Sequence, residues 1–507
     1  MKLGDLLRAL NGETILPELL EKEVLDITHD SRKVKPGFLF VAVRGFHSDG
    51  HQFVPQALQQ GAIAVIAEEY APNAGSVATP IIRVRDSRAA LARISDVFYG
   101  HPSQRLKLIG ITGTKGKTTT SYLVKSIIEA AGHETGLIGT IEYRVKDRVY
   151  PAPNTTPESL ELQKLLAEMV GVQAAYCVME VSSHALALGR TDGCIFETAV
   201  FTNLGQDHLD FHKDMESYFQ AKRPLFANLA SDRTAVVNTD DAMASGIIGS
   251  TRAAVITCGM SEKADIHPLK PVNHSINGLA FAVQTPIGTV VAKSPLMGSH
   301  NVSNILSAIG VGVAQGFSPD AIARGIAGMK AVPGRMEKVD EGQSFAVFVD
   351  YAHTEASLAS LLEAVREVTQ GRLIALFGCG GDRDRAKRPK MGAAAAQGSD
   401  IAILTTDNPR TEDPLVIIAE IEGGMAATGV RVSSLAEAQR GLPGKTPYLI
   451  IPDRADAIAS AIMLAKPGDA VVLAGKGHEN YQIFGDKKIH FDDRESARAV
   501  LRRMHDA

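Results

Sequence analysis

The sequence contains no tryptophan, and its aromatic residues amount to 5% of the chain. Platforms that bind single-stranded nucleic acid rely on aromatic side chains that stack on bases, so this composition argues against such a function. The formal net charge of the 507 residues is -4, whereas a general binder of nucleic acid or anionic membrane is usually basic. We therefore expect no nucleic-acid partner.

Cysteine is scarce as well. The four cysteines are far apart and none forms a CxxC pair, which argues against a disulfide framework or a zinc knuckle. The sequence also has no run of about 18 apolar residues, so no membrane span is expected. Acidic residues interrupt the first apolar stretch, which therefore does not resemble a signal peptide. These features predict reduced thiols and a cytoplasmic location.

Hydrophobic residues make up 45% of the chain and charged residues 22%, as in ordinary globular proteins. At roughly 150 residues per domain, the length predicts about three domains. Short apolar runs alternate with helical patterns, which is typical of α/β domains with mostly parallel sheets. The segment 276–294 has a hairpin pattern and is predicted to be an antiparallel edge. We predict three consecutive α/β domains, over residues 1–102, 103–332 and 333–507, the last of them Rossmann-like.

The strongest local motif is Gly113–Thr119, GTKGKTT, between a predicted strand and a predicted helix. Glycines let backbone N–H groups approach phosphate oxygens closely, and the helix N-terminus adds partial positive charge. Lys117 can neutralise phosphate charge and Thr118 can bind Mg²⁺. The motif therefore predicts ATP binding in the central domain, although two residues separate its glycines where the usual P-loop has four. A glycine-rich turn without a ligand is the alternative.

The shortened loop resembles that of the Mur ligases, the ATP-dependent enzymes that build the peptidoglycan stem peptide. Five further blocks resemble this family in the family's order: MEVSSHAL at 179–186, FTNLGQDHLDFH at 201–212, GSHNVSNILSA at 298–308, GRMEKV at 334–339 and DYAHT at 350–354. Three short segments resemble the members that add diaminopimelate: TTP at 155–157, DNPR at 407–410 and GKGHE at 475–479. The resemblance thus extends over nearly the whole chain.

The resemblance implies a ligase that adds meso-2,6-diaminopimelate to the D-glutamate of UDP-N-acetylmuramoyl-L-alanyl-D-glutamate. A carboxylate is a poor electrophile, so ATP converts it to an acyl phosphate, which the amine attacks with loss of phosphate. Such a transfer needs Mg²⁺ and cationic groups to stabilise the phosphoryl charge. The first domain would bind the UDP substrate, the central domain ATP and the third domain the amino acid. A monomer is expected.

The same resemblance assigns a catalytic centre to Lys117, Glu180, His208 and Lys222. The expected Mg²⁺ ligands are Thr118, Glu180, His208 and Lys222. In the family, the lysine at position 222 is carbamylated by CO₂, which requires a neutral amine, and burial readily shifts a lysine pKa. Considered alone, Glu180 would be a loop carboxylate, His208 a surface or capping histidine and Lys222 an ordinary helix lysine.

The remaining expected site residues fall into three groups. ATP is expected to contact Gly113, Thr114, Lys115, Gly116, Lys117, Thr118, Thr119, Asn238, Asn301, Arg335, Asp350 and His353. The UDP substrate is expected to contact Ser31, Phe46, His47, Ser48, Asn154, Thr155, Thr156, Ser182 and Arg190. The amino acid is expected to contact Arg383, Asp407, Asn408, Pro409, Arg410, Gly475 and Glu479. Asn238 and Asn301 would otherwise be turn or cap residues, and the first-domain residues ordinary turn residues.

The choice of amino acid depends on Arg410. Diaminopimelate differs from L-lysine by one distal carboxylate, which a guanidinium would bind, while it would repel the ammonium of lysine. L-Lysine remains the alternative amino acid. The residues also leave open three other enzymes or proteins. One is a different Mur ligase, and another is folylpolyglutamate synthase, although that enzyme lacks a first domain of this kind. The third is a regulatory or transport P-loop NTPase. The basic segment 378–392 also allows nucleic-acid binding, but no aromatic residues are interspersed in it.

Overall fold

The computed structural model describes residues 1–10, 20–45, 48–69 and 80–505. The chain forms two compact units, the first comprising residues 1–268, 284–290 and 303–325 and the second residues 269–283, 291–302 and 326–507. The predicted α/β class with mostly parallel sheets is confirmed. No helix in the described ranges is long and apolar enough to cross a membrane.

The described N-terminal residues of the first unit contain a parallel sheet whose strands follow sequence order. The strands are β1 (Asp26–Thr28), β2 (Phe38–Val41), β3 (Ala64–Ala67) and β4 (Ile81–Arg83). Successive β2 residues enter two separate apolar clusters, Leu39 one and Phe40 the other, because side chains alternate across a strand. The neighbouring α-helices are Leu3–Arg8, Val54–Gln59 and Ser87–Phe98. The 3₁₀ helices are Ser31–Lys33, Gly50–Phe53 and Pro102–Gln104.

A larger sheet occupies the rest of the first unit, with strand order β12-β11-β10-β5-β9-β6-β7-β8. Its strands are β5 (Lys107–Thr112), β6 (Thr135–Ile138), β7 (Glu142–Val145), β8 (Arg148–Pro151), β9 (Tyr176–Glu180), β10 (Phe196–Phe201), β11 (Thr234–Asn238) and β12 (Ala254–Cys258). All neighbours pair in parallel except β6 with β7 and β7 with β8. The central strand β5 therefore ends between the carboxyl ends of β9 and β10, where open α/β sheets bind ligands.

Helices connect these strands. Those between β5 and β12 are Lys117–Ala130, Ser159–Gly171, Ser183–Ala187, Leu209–His212, Met215–Lys222, Pro224–Ala227 and Ala244–Ile248. Two more, His300–Ala314 and Pro319–Gly328, follow later in the chain. Helix Ser183–Ala187 begins where the Ser182 hydroxyl accepts the N–H of Ala185, an N-cap.

The predicted hairpin at 276–294 is not an edge of the large sheet. It forms a separate three-stranded sheet with strands β13 (His267–Ser275), β14 (Gly278–Thr285) and β15 (Gly288–Ser294). Buried and more exposed residues alternate along β14 and β15. Such strands have one buried face, unlike the strands of a parallel sheet that is covered on both faces.

The second unit contains a sheet with strand order β16-β17-β22-β18-β19-β21-β20. Its strands are β16 (Glu337–Lys338), β17 (Ala346–Asp350), β18 (Leu373–Phe377), β19 (Ile401–Leu404), β20 (Gly429–Arg431), β21 (Thr446–Ile450) and β22 (Ala470–Ala474), with the hairpin β23 (Tyr481–Phe484) and β24 (Lys487–His490) beyond it. Only β16 pairs antiparallel within this described sheet. The helices are Glu355–Arg366, Lys387–Gly398, Pro414–Met425, Leu435–Arg440, Arg454–Leu464 and Asp493–His505.

Candidate active site

The nucleotide loop follows β5 and requires its two glycines. Gly113 has φ 150° and Gly116 has φ 84°, a region that residues with a side chain rarely adopt. A Cβ at Gly113 would collide with the Thr202 hydroxyl oxygen, and a Cβ at Gly116 with the side-chain oxygen of Asn304. The glycines are therefore needed both for the backbone conformation and for the close approach of neighbouring side chains.

Residues after β10 fix this loop. Asn203 accepts the N–H of Thr114 at its carbonyl and the N–H of Lys115 at Oδ1, both at 2.9 Å. Its Nδ2 donates to the Lys115 carbonyl at 3.0 Å, and the Thr202 hydroxyl donates to the same carbonyl at 2.7 Å. The loop is thus held in one conformation by residues of a neighbouring strand end, which reduces the reorganisation needed when phosphate binds.

Two lysine amines lie at the first carbonyl of the loop. Lys117 Nζ donates to the carbonyls of Gly113 and Thr114 at 2.7 and 3.0 Å. Lys222 Nζ donates to the Gly113 carbonyl at 3.2 Å and lies 4.4 Å from the centre of the Tyr218 ring. Burial, followed by repulsion from Lys117, lowers the pKa of Lys222 to about 6. The Lys222 amine is therefore mostly neutral at pH 7, as carbamylation requires.

Glu180, the last residue of β9, has a buried and oriented carboxylate. Its Oε2 accepts the Thr118 hydroxyl at 2.9 Å and the Thr140 hydroxyl at 3.1 Å, while Oε1 accepts the Thr140 N–H at 2.9 Å. A Thr hydroxyl and a carboxylate are hard oxygen ligands of the kind Mg²⁺ takes. In the described ranges, no group of three or more His, Cys, Asp or Glu residues could hold a metal ion. Since Mg²⁺ usually keeps waters and phosphate oxygens as ligands, Thr118 and Glu180 fit a nucleotide-bound ion.

His208 belongs to a histidine cluster beside the loop. Its ring centre lies 4.9 Å from that of His184, and His184 lies 5.4 Å from His212. Burial, with added repulsion among these rings, lowers the pKa of His184, and burial and the nearby Lys222 lower that of His212. Tyr218 packs against the cluster, and its hydroxyl lies 3.2 Å from the Thr114 hydroxyl. The cluster is thus connected to the nucleotide loop.

The predicted residues for the acidic substrate converge next to Glu180. Thr156 is fully buried, and its hydroxyl donates to the Glu180 carbonyl at 2.8 Å and accepts the Ser182 N–H at 3.1 Å. Arg190 donates to the Thr156 carbonyl at 3.0 Å. The Thr155 and Thr140 hydroxyls lie 3.0 Å apart. A guanidinium and several hydroxyls therefore line the carboxyl end of β9, as a carboxylate-rich ligand would require.

Other predicted contacts with the UDP substrate are more scattered. Ser31 is buried and donates to the Gln56 side chain at 2.9 Å, whereas Ser48 and Asn154 are exposed. Phe46 and His47 lie outside the described residues.

The two predicted adenine-binding asparagines already bond to the backbone. Asn238 Nδ2 donates to the Thr202 carbonyl at 2.8 Å, and Asn301 Nδ2 donates to the Met297 carbonyl at 2.6 Å. Asn238 therefore joins the ends of β10 and β11. Asn301 belongs to the second unit, whereas Asn238 belongs to the first.

In the second unit, Asp350 ends β17 and orients its neighbours. It accepts the N–H groups of Met336 and Ala352, each at 2.7 Å, and burial raises its pKa. Arg335 stacks over the Tyr351 ring at 5.4 Å, and His353 lies 4.6 Å from the same ring. The structure thus brings together the three predicted ATP-binding residues Arg335, Asp350 and His353.

The predicted amino-acid pocket lies at the carboxyl ends of β18, β19 and β22. Asn408 Nδ2 donates to Glu479 Oε2 at 2.8 Å, and the fully buried Lys476 donates to the same oxygen at 3.2 Å. A Cβ at Gly475 would lie 2.9 Å from a carboxylate oxygen of Asp407, so glycine provides space there. The structure therefore joins the DNPR and GKGHE segments in one site.

The side chains of the two predicted arginines of this pocket both lie near Gly380. A Cβ at Gly380 would lie 2.9 Å from Arg410 Nη1 and 3.8 Å from Arg383 Cγ. The Arg410 N–H donates to the Ile483 carbonyl at 3.0 Å, so hairpin β23–β24 holds the arginine backbone. The Arg410 guanidinium donates to the Gly381 carbonyl at 2.7 Å and the Arg383 guanidinium to the Asp382 carbonyl at 3.1 Å, so both are held by the same short segment, and a guanidinium can bind carboxylate.

A buried ion pair fixes the strand ends from which the DNPR and GKGHE segments begin. Arg454 and Asp493 are 1% and 0% exposed, and their two hydrogen bonds are both 2.7 Å long. Arg454 also donates to the Ala474 carbonyl at 3.0 Å and the Thr406 carbonyl at 3.5 Å. One guanidinium thereby joins the ends of β19 and β22, from which the two pocket segments begin.

Several of these residues were missed by the sequence prediction. Thr140, Asn203, Tyr218 and Asn304 contact the first site, and Lys476, Arg454 and Asp493 support the second. Asn203 and Tyr218 lie beside predicted site residues in sequence, which is a usable signal. Thr140 has none, because its approach to Glu180 depends on the order of strands in the sheet.

A parallel α/β fold with a glycine loop between a strand and a helix, a hydroxyl–carboxylate pair and a buried lysine whose pKa is lowered is typical of an enzyme that binds nucleoside triphosphate. Three family domains match the chain: the catalytic domain of the Mur ligase family over residues 23–99, the Mur ligase middle domain over 111–312 and the glutamate ligase domain over 334–477. The chain belongs to the Mur ligase family.

Individual proteins are similar over the full length. UDP-N-acetylmuramoyl-L-alanyl-D-glutamate--2,6-diaminopimelate ligase from Solibacter usitatus (strain Ellin6076) is 48% identical over 505 residues, covering 99% of this chain and 98% of the relative. The ligase of that name from Geobacter metallireducens is 45% identical over 510 residues, covering 99% of both. A solved structure of a ligase of the same name has 32% identity and a TM-score of 0.72, with 100% of both chains covered.

Proposed function

We propose that this chain is an ATP-dependent ligase that joins meso-2,6-diaminopimelate to the D-glutamate of UDP-N-acetylmuramoyl-L-alanyl-D-glutamate in peptidoglycan synthesis. The full-length similarity to ligases of that name supports the proposal. The structural observation that carries it is the group in which the Arg410 and Arg383 guanidiniums bond to residues 381 and 382 while Asn408 binds Glu479. Such a pocket pairs an arginine with the distal carboxylate and Glu479 with the distal ammonium.

The first site performs the activation step in this proposal. Lys117 and the N–H groups at the start of helix Lys117–Ala130 bind the ATP phosphates. Thr118 and Glu180 would hold Mg²⁺, which would supply charge neutralisation at the phosphoryl group. His208 and carbamylated Lys222 complete the metal site. Arg190 and the hydroxyls of Thr155 and Ser182 orient the acidic peptide so that its carboxylate faces the γ-phosphate, while the buried Thr156 fixes the backbone of Glu180 and Ser182. The carboxylate oxygen takes the γ-phosphoryl group and ADP leaves; the amine then attacks the acyl carbon, loses a proton, and inorganic phosphate leaves as the amide forms.

The nucleotide contacts of Asn238, Asn301, Arg335, Asp350 and His353 belong to the same proposal. The proposal also assigns the UDP substrate to residues 1–102, ATP to residues 103–332 and the amino acid to residues 333–507. It includes a cytoplasmic location, since ATP and UDP-linked precursors are cytoplasmic metabolites.

Amino-acid choice tests this function directly. We expect release of phosphate from ATP, in the presence of the UDP-muramoyl dipeptide, to be stimulated far more by meso-diaminopimelate than by L-lysine at equal concentration. Mass spectrometry of the product checks that an amide has formed. Preference for L-lysine would refute the substrate assignment and leave the ligase intact, whereas phosphate release without any ligated product would indicate an NTPase.

Arg410→Ala tests the pocket. Losing a charge-assisted contact with the distal carboxylate costs about 2–5 kcal/mol, so kcat/KM for diaminopimelate should fall at least tenfold, by roughly 1.4 kcal/mol per factor of ten. Steady-state kinetics with diaminopimelate and L-lysine measure the change. Equal activity of variant and wild type with diaminopimelate would show that Arg410 does not bind this carboxylate.

A further inference from the structure

Two short segments form the arginine-bearing wall of the pocket, residues 380–383 and 407–412. The N–H of Gly381 donates to the Asn408 carbonyl at 2.9 Å, and Arg410 Nη1 donates to the Gly381 carbonyl at 2.7 Å. The Thr411 hydroxyl donates to an Asp382 carboxylate oxygen at 2.7 Å. Because each segment bonds to the other, the positions of Arg383 and Arg410 depend on how well the two stay together.

Both segments contain an unfavourable backbone conformation. Asp382 and Arg410 each have φ 52°, although neither is glycine. Such residues keep this conformation only where surrounding contacts hold it. Hairpin β23–β24 holds the Arg410 backbone, since the Gly485 N–H also donates to the Arg410 carbonyl, at 2.7 Å. The Asp382 side chain is held by Thr411, but the hairpin does not hold its backbone, which has another support.

That support is Glu412. Its Oε1 accepts the N–H of Asp382 at 2.6 Å, directly at the strained residue. The Glu412 carboxylate is itself held by Arg388, whose two terminal nitrogens donate to it at 2.9 and 2.7 Å. Arg388 is fully buried, and its Nη2 donates to the Gly380 carbonyl at 3.4 Å. A buried guanidinium and one carboxylate thus connect both segments.

We propose that Glu412, held by Arg388, is a positioning residue that sets Arg383 and Arg410 for the distal carboxylate of the amino acid. The inference rests on the proposed function and adds to it a determinant of amino-acid recognition outside the DNPR and GKGHE segments. Glu412 acts through the 380–383 segment, so its loss should weaken amino-acid binding while the nucleotide and UDP substrates bind as before.

Glu420 provides a matched control on the same arginine. It accepts a hydrogen bond from Arg388 Nη1 at 2.8 Å and pairs with Arg385. Its side chain is 27% exposed, close to the 20% of Glu412. Removing either carboxylate therefore takes one partner from Arg388, but removing Glu412 also takes the acceptor of the Asp382 N–H.

The experiment compares Glu412→Ala with Glu420→Ala in the full chain. For Glu412→Ala, we expect KM for diaminopimelate to rise roughly tenfold or more, with KM for ATP and the UDP substrate unchanged within about twofold. Discrimination against L-lysine should fall with it, because the arginines that reject lysine are displaced. Glu420→Ala should leave all three KM values within about twofold of wild type. Thermal unfolding of each variant checks folding.

Glu412→Gln keeps an acceptor for the Asp382 N–H and should lie between Glu412→Ala and wild type; it also serves if the alanine variant does not fold. Equal effects of Glu412→Ala and Glu420→Ala, or a uniform change in kcat and every KM, would overturn the proposal. Wild-type preference for L-lysine would instead refute the proposed substrate, so the two failures are distinguishable.

Discussion

Lys117→Ala should reduce ATP-dependent ligation by roughly three orders of magnitude, because one preorganised donor to developing phosphoryl charge is lost. In the structure, the Lys117 amine lies at the carbonyls of Gly113 and Thr114, on the rim of the phosphate loop. The substitution removes this charge without disturbing the bonds that Asn203 makes to the loop backbone. Coupled measurement of phosphate release and ligated product gives the loss in turnover.

A second lysine of the same helix is the control for this experiment. Lys125 lies about two turns further along Lys117–Ala130 and pairs with Glu129. Lys125→Ala should therefore keep near-normal activity, and both variants should unfold near the wild-type temperature. A folded Lys117→Ala protein with near-normal ligation would refute the assignment of the phosphate loop.

Lys222→Ala should reduce activity by roughly a hundredfold or more, because the carbamate that we propose for the metal site could no longer form. Added formate or acetate should restore part of the activity, since a small carboxylate can occupy the space left by the carbamate. The premise is the buried amine whose pKa is lowered to about 6 and which is therefore free to react with CO₂. Activity is measured with increasing formate at constant ionic strength.

Lys222→Arg distinguishes this role from that of a simple cation. Arginine keeps the positive charge but cannot form the carbamate, and it stays protonated even when buried. The variant should be inactive and should not respond to formate. Full activity of Lys222→Arg would show that a cation, and not a carbamate, is required at this position.

The sequence predicted those parts of the site that depend on strand ends. Glu180 was predicted at the carboxyl end of a strand, where open α/β sheets bind ligands, and the structure places it there beside the loop at Gly113 because β5 pairs with β9. The strand pattern likewise places Arg410 after a strand end, whereas its grouping with Gly475 in one pocket came from the family resemblance. The class of each domain follows from the alternation of strand and helix patterns.

Contacts that depend on which strands are neighbours in the sheet could not be predicted from the sequence. Thr140 reaches Glu180 because β6 pairs with β9, although the two residues are separated by 40 positions. Likewise, Lys222 and Arg388 are buried because their helices pack against other elements, and no pattern in the sequence of these helices indicates that a charged residue is buried. The prediction of an antiparallel edge at 276–294 was wrong, because a hairpin with one buried face has the same hydropathy pattern in a large sheet and in a separate one.

The Arg454–Asp493 pair makes the stability of the second unit depend on the last helix of the chain. Asp493 is the first residue of helix Asp493–His505, which at first sight is a peripheral appendage of the second unit. Without this helix, Arg454 would keep a buried charge with no carboxylate partner, which costs about 3–5 kcal/mol, a large part of the roughly 5–15 kcal/mol that keeps a domain folded. The same arginine joins the ends of β19 and β22, so removing helix Asp493–His505 should also shift the two segments that we propose bind the amino acid.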